Sequence, residues 1–104
     1  MSTTTIDGHE IHVDDEGFMT QYDEWSEDLG TVLAAQIGIE MSEEHWNAIR
    51  FLRRDFPENG ETATLRRVAT VGGIPTKQLF VLFPKKPATK MAYIAGLPKP
   101  RGCV

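Results

Sequence analysis

From Asp23 onward the apolar residues of this chain recur at helical spacing, and glycine and proline cut the recurrence again and again. This punctuation limits the fold. No helix can run long, short helices are marginal in water by themselves, and so they must pack on one another. The first segment carries Trp25, Leu29, Val32, Leu33 and Ile37, with Ser26 as its cap and Gly38 as its end. Glu24, Glu27 and Asp28 lie near its start, where the helix dipole favours acids. Ser42-Glu43-Glu44 opens a second helix, with Trp46, Ile49, Leu52 or Arg53, and Phe56 as its buried stripe. Pro57 and the turn Glu58-Asn59-Gly60 are expected to end it. A shorter helix starts at Thr62 or Thr64, turns Leu65, Val68 and Ala69 inward and Arg66 and Arg67 outward, and stops at Gly72-Gly73. The next begins at Pro75 or Thr76 and carries Leu79, Phe80, Leu82 and Phe83 up to Pro84. After the basic link Lys85-Lys86-Pro87, residues 88–95 form a last helix before Gly96.

Ahead of the helices the period is two. Ile6 and the alternating pair Ile11 and Val13 flank Asp7-Gly8, a strong hairpin signal, and Asp14-Asp15-Glu16-Gly17 is a second turn. Residues 1–5 are polar and read as disordered. The chain of 104 residues is the size of one domain, 1–104. The expected fold is mainly α: a small helical bundle with an N-terminal β-hairpin, a helix-turn-helix-like region across 62–83 and an extended C-terminal arm, 96–104.

That arm reads Gly96-Leu97-Pro98-Lys99-Pro100-Arg101-Gly102-Cys103-Val104 and holds the chain's single cysteine one residue from the end. Pro98 and Pro100 lack backbone donors and push Leu97 and Lys99 toward extended conformations. The product is a semi-rigid arm with a thiol near its tip. Lys99 and Arg101 favour the thiolate, and the terminal carboxylate opposes it. One cysteine makes no internal disulfide, which suits a reducing compartment, and a cytoplasmic location is expected. The N-terminus lacks the basic and apolar regions of a secretory signal, and no apolar run approaches the roughly 20 residues that cross a bilayer, so no membrane partner is expected.

Charge is unevenly laid out. Residues 1–49 hold twelve acids and no Lys or Arg, while residues 50–104 hold eleven basic residues and three acids. The simpler reading is that the two halves attract each other within the fold. The alternative is that Arg50, Arg53, Arg54, Arg66 and Arg67 form a patch for an anion, the sulfur-bearing arm or a partner, which leaves room for nucleic acid. The aromatic interleaving of a single-strand RNA platform is absent. His9 and His12 fall on opposite hairpin faces, and His45 in a first helical turn suits packing or capping, so no metal site is expected. There is no H-x-x-x-H, C-x-x-C, G-x-S-x-G or phosphate-cradling glycine motif, and no cofactor is expected.

The run Ile94-Ala95-Gly96-Leu97-Pro98-Lys99-Pro100, followed by Gly102-Cys103-Val104, resembles the C-terminal arm of the DsrC/TusE family. Gly17, Trp25-Ser26, Ser42-Glu43-Glu44-His45-Trp46, Arg50-Phe51 and Leu82-Phe83-Pro84 extend the resemblance from about residue 6 to the end. It implies a sulfur carrier that holds persulfide sulfur on Cys103, recharged each cycle rather than a stand-alone enzyme. The donor would be a TusBCD- or DsrEFH-like protein, and the acceptor an MnmA-like tRNA 2-thiouridylase. Members that work with dissimilatory sulfite reductase, or a heterodisulfide-reductase-like partner, use a second cysteine eleven positions upstream. That position is Ala92 here, so one-thiol chemistry in tRNA 2-thiouridine synthesis is the leading expectation. The dissimilatory route and a nucleic-acid-binding regulator are the alternatives. The segment 69–79 is shorter than the family's, its Gly-Asn-Ser turn is missing, and Lys85-Lys86-Pro87 replaces a glycine-containing link.

Overall fold

In the computed structural model, which describes residues 2–100, the helical period produces five helices: α1 Glu27–Gln36, α2 Glu43–Asn59, α3 Leu65–Thr70, α4 Thr76–Leu82 and α5 Pro87–Ala95. A hairpin of β1 Ser2–Ile6 and β2 His9–Val13 precedes them. Its antiparallel register pairs Ile6 with His9 and Ser2 with Val13. Asp7 (φ 48°) and Gly8 (φ 82°) make the left-handed two-residue turn that matches strand twist. Residues 2–5 were expected to be disordered and instead complete this strand. Their backbone pairs with β2, and three consecutive β-branched threonines suit a pleated ribbon.

Caps set the helix starts. Ser26 Oγ accepts from the Leu29 amide at 3.2 Å, and Thr64 Oγ1 from the Arg67 amide at 3.2 Å. At α2 the His45 ring takes the reciprocal role in a capping box, its Nδ1 accepting from the Ser42 amide at 3.1 Å. With Nδ1 so used, Nε2 carries the hydrogen and donates to the Leu82 carbonyl at 2.9 Å. His45 thereby ties the start of α2 to the end of α4, with its ring edge-on to Phe83.

Pro57 does not end α2. The helix runs on to Asn59 and stops at Gly60 in the left-handed region. Proline removes the bond that would reach the carbonyl four residues back, that of Arg53. The Tyr22 hydroxyl donates to that carbonyl at 2.6 Å, so the helix tolerates the proline.

The main core gathers Ile49, Leu52, Val68, Leu79, Phe83, Met91, Ile94 and Leu97, all fully buried. A second cluster of Ile11, Val13, Met19, Leu29 and Leu33 seats the hairpin on α1. In α4 only Leu79 is buried, with Phe83 just beyond its end, whereas Phe80 and Val81 are exposed. Helices α3 and α4 pack on each other across residues 71–75, the expected helix-turn-helix-like unit. Lys85 (φ 61°) and Lys86 (φ 53°) both adopt the left-handed conformation in the link between α4 and α5. Among the described residues, no helix is long and apolar enough to cross a membrane.

Candidate functional site

The end of α5 launches the arm. The Leu97 amide bonds back to the Ala92 carbonyl at 3.0 Å and the Gly96 amide to that of Tyr93 at 3.3 Å. Gly96 is left-handed, with φ 70°. This is a Schellman motif, in which the residue after the glycine turns back onto the helix. That residue is Leu97, and it is fully buried. A side chain at Gly96 has no room, since a Cβ would fall 2.5 Å from Trp25 Cδ1 and 2.9 Å from Met19 Sδ.

Side chains from distant segments take the carbonyls that follow. Trp25 Nε1 donates to Ile94 O at 2.7 Å, Arg53 Nη1 to Ala95 O at 3.2 Å, and Thr62 Oγ1 to Pro98 O at 2.7 Å. Lys99 Nζ reaches Glu16 at 3.1 Å. Arg53 also donates to the Tyr22 carbonyl at 3.0 Å. Its guanidinium carbon lies 3.7 Å from the centre of the Tyr22 ring and 4.4 Å from that of Trp25. Burial lowers the Arg53 pKa from the usual guanidinium value, against the pull of Tyr22 and Asp23, and the group remains a cation between two π faces.

The arm expected to extend from Gly96 is packed onto the fold over its first residues. Gly96, Leu97 and Pro100 are buried, and only Pro98 and Lys99 of the first five arm residues are exposed. Leu97 is an apolar residue at the position where a Schellman motif packs one, and that signal was present in the sequence. Arg101, Gly102 and Cys103 lie outside the described residues. Ala92, where the resemblance would place a second cysteine, is fully buried.

The five arginines do not act as one group. Arg50 bonds Glu27 at 2.9 Å and Glu43 at 3.4 Å. The hydrogen bond between them raises the Arg50 pKa and lowers that of Glu27. Arg53 is turned inward. Arg67, expected to face out, folds back on the buried Asp55 of α2 through two bonds of 2.8 and 2.7 Å, which raise its pKa. Arg54 and Arg66 are exposed. The two Arg50 pairs join the acidic and basic halves of the sequence, as does Lys99 on Glu16, whereas Arg67 pairs with an acid of its own half. Among the histidines, His12 bonds Glu24 through both its backbone amide and its ring, which holds the Glu24 carboxyl below its ordinary value. Sequence reasoning missed the roles of Tyr22, Trp25 and Thr62. Pro57 was the available pointer to Tyr22, because it leaves a carbonyl that a donor must fill.

A family model described as "DsrC like protein" matches residues 5–104. The chain is 37% identical over 106 residues to the sulfurtransferase TusE of Salmonella typhimurium, covering 95% of this chain and 97% of that one. Its fold is similar to the solution structure of Allochromatium vinosum DsrC, with a TM-score of 0.83, 36% identity, and coverage of 98% and 97%. It is similar also to a chain in the crystal structure of dissimilatory sulfite reductase I, with a TM-score of 0.82, 31% identity, and coverage of 99% and 100%.

Proposed function

We propose that this chain, which belongs to the DsrC-like family, is a sulfur carrier that loads and unloads persulfide sulfur on Cys103. The observation that carries this reading is the placement of the sole cysteine three residues beyond Pro100, on an arm whose root is bonded to four separate parts of the fold. In loading, the Cys103 thiolate attacks the outer sulfur of a donor persulfide. The donor's S–S bond breaks, a new S–S bond forms on Cys103, and the donor leaves as a thiolate. In unloading, an acceptor thiolate attacks the outer sulfur on Cys103 and the carrier thiolate is released. Electrons balance without an external oxidant or reductant. The similarity to sulfurtransferase TusE over nearly the whole chain supports this chemistry.

The chain has one cysteine, and Ala92 stands where a resolving thiol would be. An internal disulfide is thus unavailable, which favours the TusE-type role: sulfur accepted from a TusBCD- or DsrEFH-like donor and passed to an MnmA-like tRNA 2-thiouridylase in the cytoplasm. A sulfite-reductase partner is the second reading, favoured by the likeness to a chain of dissimilatory sulfite reductase I. Incubation with inorganic polysulfide followed by intact-mass spectrometry tests the carrier role. The expected result is an adduct of about 32 Da, reversed by dithiothreitol and absent in Cys103→Ser. No adduct on the wild-type chain, or one that persists in Cys103→Ser, overturns it.

A further inference from the structure

Among the described residues, the large apolar side chains left exposed are Val71, Phe80 and Val81, at 59%, 50% and 68%. All three fall in the α3–α4 unit: Val71 caps the end of α3, and the other two lie on α4. Scattered exposed apolar residues are ordinary on a protein surface, but their concentration in one unit is not. On α4, Lys77, Phe80 and Val81 stand at i, i+3 and i+4 and are all exposed, whereas Leu79 packs in the main core. The helix thus has an outer face that pairs apolar side chains with a cation.

The surroundings of that face are cationic as well. From Thr62 to the end the sequence holds no Asp or Glu. Arg67 is taken up by Asp55 and Lys99 by Glu16, but no acid pairs with Lys77, Lys85 or Lys86 among the described residues. Glu44 of α2 meets α4 at Gln78, in the cleft between the two helices. Lys85 and Lys86 follow directly on Pro84, exposed and left-handed, a backbone that is costly for lysine. We infer that the outer face of α4 is a docking surface for a partner protein whose contact segment presents an apolar side chain flanked by carboxylates. An apolar centre with a charged rim is the anatomy of a protein–protein interface, and the lysine rim sets the sign of the charge opposite. A phosphate backbone would reward the cations and leave Phe80 and Val81 unused. Recognition of anionic lipid draws on clusters of about four to eight Lys or Arg, more than this face has. The inference goes beyond the carrier reading and does not depend on it.

Photochemical capture tests it. The substitution Phe80→p-benzoylphenylalanine keeps the aromatic bulk and cross-links on irradiation. In the full chain, expressed in its own host, it should give a discrete protein adduct that the same group at exposed Thr5 of β1 does not. Mass spectrometry of the adduct should place the cross-link beside an apolar residue with Asp or Glu on either side. With that partner purified, Val81→Ser should weaken binding about tenfold. The double variant Lys85→Glu with Lys86→Glu should weaken it by a similar factor, one that shrinks as salt rises. Lys85→Gly with Lys86→Gly removes both charges and the left-handed cost together. It should weaken binding while the melting temperature holds or rises, which separates docking from folding. Four results overturn the inference: no adduct above the Thr5 control, a nuclease-sensitive or lipid adduct, a captured segment without acids, or variants that bind as tightly as the wild type. Polysulfide loading of Cys103 reports on the carrier reading separately.

Discussion

Residues 2–6 and 96–100 lie at opposite ends of the described chain, both short and outside any helix, and they are held by different means. At the N-terminal end the backbone does the holding. β1 is zipped to β2 along its whole length, and Ser2, Thr3 and Thr5 point to solvent. At the C-terminal end particular side chains do it: Thr62 on the Pro98 carbonyl and Leu97 in the core, with Trp25 and Arg53 on the last two carbonyls of α5 just before it. Backbone pairing is indifferent to most side chains, whereas a lock made of named groups fails when one is changed.

Two glycines give the sharpest contrast. Gly8 and Gly96 both have positive φ, but a Cβ at Gly8 meets nothing within 4 Å, whereas at Gly96 it collides with Trp25 and Met19. Gly96→Ala should therefore cost about 3 kcal/mol or more, from strain plus overpacking, and Gly8→Ala about 1 kcal/mol from strain alone. Chemical denaturation of both variants checks this, and equal losses would break the comparison. Leu97→Ala comes next, with about 2–3 kcal/mol lost through the cavity left in the main core. A near-neutral result there would mean that the arm root adds nothing to the fold. Thr62→Val keeps the shape and removes the bond to Pro98 O, for about 1 kcal/mol in the same assay.

Acid should separate the two ends further. The Glu24 carboxyl is held below its ordinary value of 4.5 chiefly by the His12 backbone amide and then by the His12 ring. Such a group adds stability at pH above its ordinary value, and that contribution is lost as pH falls through the depressed one. Between pH 5 and 3, in the range about the ordinary carboxylate pKa, amide exchange in β2 should quicken before exchange at Leu97, whose immediate locks on carbonyls 94, 95 and 98 come from indole, guanidinium and hydroxyl donors. The smallest effect is expected at the exposed strand position: Thr5→Ala should change stability by no more than about 0.5 kcal/mol.

Much of this was legible in order along the chain. Breakers at Gly38, Gly60, Gly72-Gly73 and Gly96 bound the helices because a left-handed residue or a missing side chain acts locally, and each acts wherever it stands. Asp7-Gly8 announced the hairpin for the same reason. The strand at Ser2–Ile6 was not legible, since polar threonines signal a strand only once a partner is in register. Pro57 was misread as a stop because its lost bond is compensated from 31 positions away, by Tyr22.

The candidate site divides along the same line. The sequence alone determined that there is one thiol, that it is second from the end, that prolines precede it, and that no second thiol can close on it. Tertiary structure alone decided where the arm begins, because the donors on carbonyls 94, 95 and 98 come from residues 25, 53 and 62. It also decided that Arg53 and Arg67 turn inward while Arg54 and Arg66 face out. Covalent order and local torsional preference are properties of neighbours in sequence, and the first set follows from them. A carbonyl's partner and a cation's destination depend on which distant surfaces the packed helices bring within 3 Å or so, a typical hydrogen-bond distance, and no local rule contains that.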